Sequence, residues 1–177
     1  MYLSVLALKP GVQPHLDILN NIERILKEAI TSVREISNNL SPQVLSAYGL
    51  TSALNLFFET KMDFIDIKIE NSIGNFRFSE VKESMIYYII KEAFNNSLKY
   101  SNATIIKLSI QFVNDQIEVI YSDDGIGFDL EEKLSEVSSS LGLFNIFNRV
   151  KLLNGDYSIE TSPGNGFSLR IIFPTSS

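Results

Sequence analysis

The residues best suited to chemistry lie in one short loop at positions 123–127, with the sequence Asp-Asp-Gly-Ile-Gly. The loop follows an apolar, strand-like run at positions 117–121. Gly125 and Gly127 have no Cβ, so the backbone there can turn sharply and approach a ligand closely. Asp123 is a fixed acceptor, suited to an amino group on the edge of a ligand. Because the same pattern also forms ordinary turns, the loop alone does not define a function.

A second candidate group lies upstream, where Glu92, Asn96 and Lys99 are spaced i, i+4 and i+7. On a helix this spacing places the three side chains on one stripe. An amide oxygen such as that of Asn96 is a suitable hard ligand for Mg²⁺, the ion that accompanies nucleotide phosphates. A solvated helix edge with an i,i+4 polar contact has the same spacing, so this group also needs support from its neighbours.

Two further glycine-containing stretches follow the loop. Residues 141–143 read Leu-Gly-Leu, and residues 164–166 read Gly-Asn-Gly. A plain hairpin turn is the simplest alternative for the second stretch.

In this order, the four stretches resemble the N, G1, G2 and G3 boxes of the Bergerat ATP-binding fold. Sensor histidine kinases, DNA gyrase, Hsp90 and MutL share that fold. The resemblance covers residues 79–174, and the order and spacing of four boxes are far more specific than any single box. It implies an α+β fold, namely a Bergerat (GHKL) ATP-binding α/β sandwich preceded by a helix of a dimerisation bundle.

The resemblance also implies ATP and Mg²⁺ as cofactors and gives the polar residues their roles. Asn96 would be the Mg²⁺ ligand, and Lys99 would reach the phosphates. Glu92 fills the position of a general base in the ATPase branches, although a Glu that only positions water or metal fits equally well. Asp123 would accept a hydrogen bond from the adenine amino group, which discriminates against the carbonyl of guanine.

The glycine boxes are expected to bring backbone close to the nucleotide. Gly142 and Leu143 match a box whose helix N-terminal N–H groups can hold phosphate. The resemblance implies nucleotide-binding positions at Gly125, Gly127, Gly142, Leu143 and Gly166 in the three boxes.

Three positions depart from the family pattern. Ser140 and Phe167 stand where Gly and Thr are usual, and Asp124 stands where Asn is frequent. We expect Asp124 to tolerate that exchange.

The N-terminal part of the chain predicts a helix at residues 14–40 with a coiled-coil or bundle seam, which needs a partner helix or subunit. Apolar residues recur every seven positions in two rows: Leu19, Leu26, Val33 and Leu40, and Ile22, Ala29 and Ile36. Pro42 is expected to end this helix, and Gly49 to mark a second break.

Residues 35–42 and 48–54 resemble the second dimerisation helix of histidine kinases related to nitrate and desaturase sensors. In that family the phosphorylated histidine lies on the preceding helix, of which only residues 1–8 are present here. We therefore predict a partial dimerisation and phosphotransfer region at 1–48, with its first helix truncated, and a catalytic ATP-binding domain at 49–177. The chain is interpreted as a C-terminal fragment, and a natural protein without the motif is the alternative. His15, the only histidine, lacks the family's His-Asp motif and is not expected to be phosphorylated.

The composition is that of an ordinary globular protein, with 177 residues, 45% hydrophobic and 20% charged. The net charge of −6 argues against a general nucleic-acid-binding surface. With no cysteine, disulfides, thiolate metal sites and a cysteine nucleophile are excluded. No apolar run approaches the roughly 18–20 residues of a membrane helix. We expect a cytoplasmic domain, whose parent contacts a membrane only through segments missing from this chain.

The hydrophobic pattern also predicts the elements that position these residues. Helices are expected at 51–61, from Ser79 to about Tyr100, and at 143–153. Ser79 can cap the second of these helices, and Ser97 is expected on its buried stripe. Strands are expected at 65–69, 106–112, 117–123, 157–161 and 167–173, and a mobile polar loop at 128–140. Phe112 belongs to the alternating apolar face of the strand at 106–112, and Asn114-Asp115 is expected to form the turn that follows it.

The resulting hypothesis is the ATP-binding catalytic core of a two-component sensor histidine kinase. The intact protein would transfer the γ-phosphoryl group of ATP to a histidine and then to an Asp on a response-regulator receiver domain. It would form a homodimer through the helix at 14–40, and the fragment would not phosphorylate itself. The alternatives are a non-kinase Bergerat ATPase, an anti-sigma-type serine kinase and a degenerate nucleotide-binding interaction module.

Overall fold

The computed structural model describes residues 41–59, 61–62, 65–135 and 141–175. The predicted heptad helix at 14–40, the segment 1–8, His15 and Ser140 lie outside these residues. Within the described part of the chain, no helix is long and apolar enough to cross a membrane.

A mixed five-stranded sheet forms the centre of the structure. Its strands are β1 (Asp66–Asn71), β2 (Ile105–Val113), β3 (Gln116–Asp123), β4 (Asp156–Thr161) and β5 (Phe167–Pro174), in the spatial order β1-β2-β3-β5-β4. β1 pairs parallel with β2, and the other three pairs are antiparallel. The predicted α+β architecture is therefore confirmed.

Among the described residues, four α-helices accompany the sheet: α1 (Ser41–Glu59), α2 (Glu80–Asn96), α3 (Leu130–Ser135) and α4 (Leu141–Leu152). α2 contacts both α1 and α4. Alternate strand residues face these helices, as in β3, where Ile117, Val119 and Tyr121 are all buried. The apolar stripe of α2, including Ile86, packs into the same core. The result is a two-layer arrangement with helices over one face of the sheet.

The helix α1 bends at Gly49, whose backbone (φ 84°, ψ 179°) is not helical. The predicted break at Gly49 is thus present. Pro42 lies in the first turn of α1, where a residue without an N–H is tolerated, and the predicted end of the helix at 14–40 lies outside the described residues. Leu45 and Leu50, on either side of the bend, are both buried in the core. The predicted domain boundary between residues 48 and 49 coincides with this bend, and it stays a prediction.

Arg77 holds the bend of α1 against α2. Its Nη2 donates to the carbonyl oxygen of Ser46 at 3.1 Å, and its Nε donates to the buried carboxylate of Glu83 at 2.8 Å. A Cβ on Gly49 would lie 2.7 Å from Arg77 Cδ. The side chain of Arg77 thus occupies the space that the glycine leaves open.

Two local structures differ from the sequence-based expectations. The helix predicted to run to Tyr100 changes at Asn96 into a π-helical turn, Ser97–Ser101. The polar stretch predicted as a loop contains the helix α3, which Asp129 caps by accepting a hydrogen bond from the N–H of Glu132 at 3.0 Å. The predicted turn at Asn114-Asp115 is confirmed, and both residues have the positive φ typical of a tight hairpin.

Candidate functional site

The start of α4 lies directly against the polar stripe of α2. A Cβ placed on Gly142 would lie 2.6 Å from Oε1 of Glu92 and 3.1 Å from Nδ2 of Asn96. A side chain at position 142 would therefore displace the Glu92 carboxylate and crowd the Asn96 amide, whereas a glycine allows this close approach. The sequence separates these residues by about fifty positions, and the fold brings them together.

Both carboxylate oxygens of Asp123 accept a hydrogen bond from the protein. Its Oδ1 accepts a hydrogen bond from the N–H of Gly125 at 2.9 Å, and its Oδ2 accepts one from Oγ of Ser97 at 2.5 Å. Ser97 directly follows Asn96 in the chain. The hydrogen bond between Ser97 and Asp123 therefore joins the end of α2 to the loop at 123–127.

Sequence reasoning did not assign Ser97 or Tyr121 to the site. The hydroxyl of Tyr121 donates to Oγ of Ser97 at 2.8 Å, and both residues are buried. Burial raises the pKa of Tyr121, so the phenol remains protonated at neutral pH. A signal for both existed in the sequence, because Tyr121 lies two positions before Asp123 on the same face of β3 and Ser97 follows the N-box Asn.

The loop at 123–127 is also held by its backbone. The N–H of Ile126 donates to the carbonyl of Ser101 at 2.8 Å, and its carbonyl accepts from the N–H of Gly164 at 2.6 Å. A Cβ on Gly125 would lie 2.5 Å from the carbonyl oxygen of Ser101. The loop therefore contacts the π-helical turn on one side and the β4–β5 hairpin on the other.

Gly127 and Gly166 allow close approaches between protein segments. Both have positive φ, and a Cβ on Gly127 would lie 2.1 Å from the carbonyl oxygen of Ser162. A Cβ on Gly166 would lie 2.2 Å from the carbonyl oxygen of Asp123. Packing within the protein thus explains these glycines, and their contact with a nucleotide stays a prediction.

The remaining predicted site residues differ in exposure. Lys99 is exposed on the π-helical turn. The side chain of Leu143 is buried in the core, so its predicted contact with a ligand can come only from its backbone in the first turn of α4. Phe167, which departs from the family pattern, stacks on Phe128 with ring centroids 5.9 Å apart and thereby covers the end of the loop.

Asp124 anchors the loop to the start of β2. One carboxylate oxygen accepts from the N–H groups of Thr104 at 2.7 Å and Ile105 at 2.8 Å, and the other accepts from the Thr104 hydroxyl at 2.6 Å. These hydrogen bonds lower the pKa of Asp124 to about 2. An Asn could keep all three contacts, with its amide group donating to the hydroxyl, which agrees with the expected tolerance for that exchange.

Stability in acid should therefore depend on Asp124. Its pKa is lower in the folded than in the unfolded chain, so its contribution is present above about pH 3.8 and is lost as pH falls to about 2. We expect wild type to be more stable than Asp124→Asn at neutral pH, with the difference vanishing toward pH 2. Urea unfolding midpoints measured from pH 5 to pH 2 test this. A difference that stays constant with pH would contradict it.

The structure thus places Glu92, Asn96, Asp123 and Gly142 around one region, linked through Ser97. Carboxylate and amide oxygens, a helix N-terminus and a fixed acceptor meet there. Helix N-terminal N–H groups favour anions such as phosphate. The arrangement can hold a ligand that has a hydrogen-bond donor at one end and negative charge at the other.

Comparison with known proteins agrees with this geometry. Residues 81–177 match the family described as histidine kinase-, DNA gyrase B-, and HSP90-like ATPase. The sensor histidine kinase ComP of Bacillus subtilis is 35% identical over 157 residues, which is 88% of this chain and 20% of ComP. The oxygen sensor histidine kinase NreB of Staphylococcus carnosus is 29% identical over 161 residues, 90% of this chain and 46% of NreB. The chain therefore spans less than half the length of these curated relatives.

Solved structures show the same fold. A histidine kinase domain from the Erythrobacter litoralis EL346 blue-light activated histidine kinase superposes with a TM-score of 0.61 at 17% identity, covering 71% of this chain and 61% of that one. The Acinetobacter baumannii histidine kinase AdeS gives a TM-score of 0.59 at 16% identity, covering 96% of this chain and 87% of AdeS.

Since the family model matches more than half of its residues, the chain belongs to the histidine kinase-, DNA gyrase B-, and HSP90-like ATPases. Within that family, the two curated relatives described above are sensor histidine kinases.

Proposed function

We propose that this chain binds ATP with Mg²⁺ and serves as the catalytic core that transfers the γ-phosphoryl group of ATP to a histidine. In the whole protein, that group then passes to an Asp on a response-regulator receiver domain. The observation that carries the proposal is the close approach of Gly142 to Glu92 and Asn96, beside an Asp123 carboxylate that is held by Ser97.

The site residues fit an adenine nucleotide at both ends. Asp123, with both oxygens already accepting from the protein, presents its remaining lone pairs to a donor such as the amino group of adenine. The start of α4 at Leu141 and Gly142 offers N–H groups to phosphate, and the cationic Lys99 is exposed nearby in the chain on the π-helical turn. Catalysis by such a site is mainly positioning and charge neutralisation.

The polar stripe of α2 fits a hydrated magnesium ion. Asn96 supplies a neutral oxygen donor and Glu92 a carboxylate, and both stand beside the first turn of α4. Mg²⁺ prefers such hard oxygen ligands and usually retains several waters while it binds substrate phosphates. When bound, the ion would neutralise phosphate charge. Glu92 would orient a water or the ion, or act as a general base.

The proposed partners follow from the proposed kinase function of the whole protein. A receiver domain would accept the phosphoryl group, and two copies would associate through the predicted helix at 14–40. That helix lies outside the described residues, so dimerisation rests on its heptad pattern alone.

Calorimetric titration of the chain with ADP tests the nucleotide site. We expect saturable binding that is strengthened by Mg²⁺ and weakened by Asn96→Ala, because that variant lacks the amide oxygen that would ligate the ion. Binding that is identical with and without Mg²⁺ would contradict the metal role of Asn96. No heat of binding up to millimolar ADP would contradict the nucleotide site and support a degenerate module.

ATP turnover by the chain distinguishes the kinase from an ATPase. We expect no sustained hydrolysis. Rapid turnover that Glu92→Gln abolishes would favour an ATPase with Glu92 as its base.

A further inference from the structure

Ser97 and Tyr121 form a buried hydroxyl chain that ends on the Asp123 carboxylate. The contacts are 2.8 Å from Tyr121 to Ser97 and 2.5 Å from Ser97 to Asp123. Tyr121 is fully buried and Ser97 is 3% exposed, so neither hydroxyl is solvated by bulk water. Tyr121 and Asp123 of β3 are thus connected through Ser97 of the π-helical turn in one continuous hydrogen-bonded chain.

The direction of the hydrogen bonds in this chain is fixed. An ionised carboxylate only accepts, so the single proton of the Ser97 hydroxyl is directed to Asp123. The competing acceptor, the carbonyl oxygen of Ala93, is farther away at 3.2 Å. Since Ser97 has then used its proton, Tyr121 must donate to it. The hydrogen bonds therefore run in one direction: Tyr121 donates to Ser97, and Ser97 donates to Asp123.

This arrangement keeps Asp123 an acceptor. A ligand carbonyl could be bound only if Asp123 carried a proton and donated it. Oδ2 already receives the proton of Ser97, and Oδ1 receives the N–H of Gly125, so both oxygens are hydrogen-bonded as acceptors. The network therefore favours a ligand amino group over a ligand carbonyl at this position.

We propose that Ser97 and Tyr121 are specificity-determining positioning residues, which fix the Asp123 carboxylate as an acceptor and so set the preference for a 6-amino over a 6-keto purine. The inference rests on the proposed nucleotide site and extends it to two residues beyond the Gly-rich boxes. Tyr121 acts only through Ser97, and Ser97 only through Asp123.

The test compares the Kd of ADP with that of inosine diphosphate, in which a 6-keto group replaces the amino group. We expect wild type to bind ADP much more tightly than inosine diphosphate. This preference should fall about tenfold in Tyr121→Phe and further in Ser97→Ala. The fall should come from weaker ADP binding, with inosine diphosphate little affected. Ser97→Thr keeps the hydroxyl and should restore most of the preference.

Tyr87→Phe is the matched control, because it removes the hydroxyl of another fully buried tyrosine, on α2. It should leave the preference unchanged, whatever its effect on stability. Equal weakening of both nucleotides in Tyr121→Phe and Ser97→Ala would show a merely structural role and overturn the inference, with the nucleotide site intact. Wild type that binds neither nucleotide would overturn the proposed function as well.

Discussion

Replacing Asp123 by asparagine should weaken ADP binding by about 100-fold while the protein remains folded. The reason lies in the two hydrogen bonds that the carboxylate already accepts. The amide oxygen of the substituted side chain would accept from the N–H of Gly125, which leaves the amide nitrogen facing both Ser97 and the ligand. An amide nitrogen only donates, so it would oppose the donating amino group of adenine.

The stability of Asp123→Asn should change much less than its affinity. Ser97 can turn its proton toward the carbonyl of Ala93, 3.2 Å away, and then accept from the new amide. Asp124→Asn is the matched control, because it makes the same chemical change at the next residue, whose contacts an amide can preserve. Calorimetry should show ADP binding close to wild type in that control. Equal loss of affinity in both variants would contradict a specific role for Asp123.

A large loss of stability is expected for Gly166→Ala, at about 3 kcal/mol or more. Gly166 has a φ of 68°, which costs an alanine about 1 kcal/mol, and its Cβ would lie 2.2 Å from the carbonyl oxygen of Asp123. That neighbour is backbone in a paired strand, so it cannot turn away as a flexible side chain could. Asp123 and Phe167 are paired residues of β3 and β5, and the substitution would force these strands apart.

Gly164→Ala distinguishes the cost of backbone strain at positive φ from the cost of a steric clash with the neighbouring strand. Gly164 also has a positive φ, of 84°, but nothing lies within 4 Å of a Cβ built there. It should therefore lose only about 1 kcal/mol, from backbone strain alone. Both variants can be compared by urea denaturation. Similar losses for the two would show that close packing between the loop and the hairpin is not what requires Gly166.

Local signals in the sequence are sufficient for most of the elements. Alternation in β2 and β3, with the Asn114-Asp115 turn, predicts a hairpin that the structure confirms. Ser79 is predicted to cap α2, and its side chain accepts from the N–H of Lys82. Such elements can be predicted because nearby residues determine their hydrogen bonds and their buried faces.

Two misassigned regions show where local reasoning fails. The polar composition of α3 predicts a loop, although Asp129 followed three positions later by Glu132 is a helix-start signal. The alternation of β2 predicts a buried Phe112, but this side chain is 43% exposed and packs on Phe76. Its position depends on a loop that joins β1 to α2, which the pattern of β2 does not contain.

The site can be predicted through its boxes, but its internal contacts cannot. Asn96, Asp123 and Gly142 follow from the motifs, while the contact of Gly142 with α2 depends on how α2 and α4 pack. For Ser97 the sequence predicts only a place in a buried stripe. Its hydrogen bond to Asp123 forms only when β3 has its observed register and residues 97–101 form the π-helical turn. Neither feature can be predicted from the neighbouring residues alone.

A crystal structure of this chain grown with ADP and Mg²⁺ tests the central claim most directly. We expect the adenine amino group within hydrogen-bonding distance of the Asp123 carboxylate, Mg²⁺ coordinated by the side-chain oxygen of Asn96, and phosphate oxygens near the N–H groups at Gly142. A nucleotide bound elsewhere on the protein, with Asn96, Asp123 and Gly142 all free of it, would contradict the assignment.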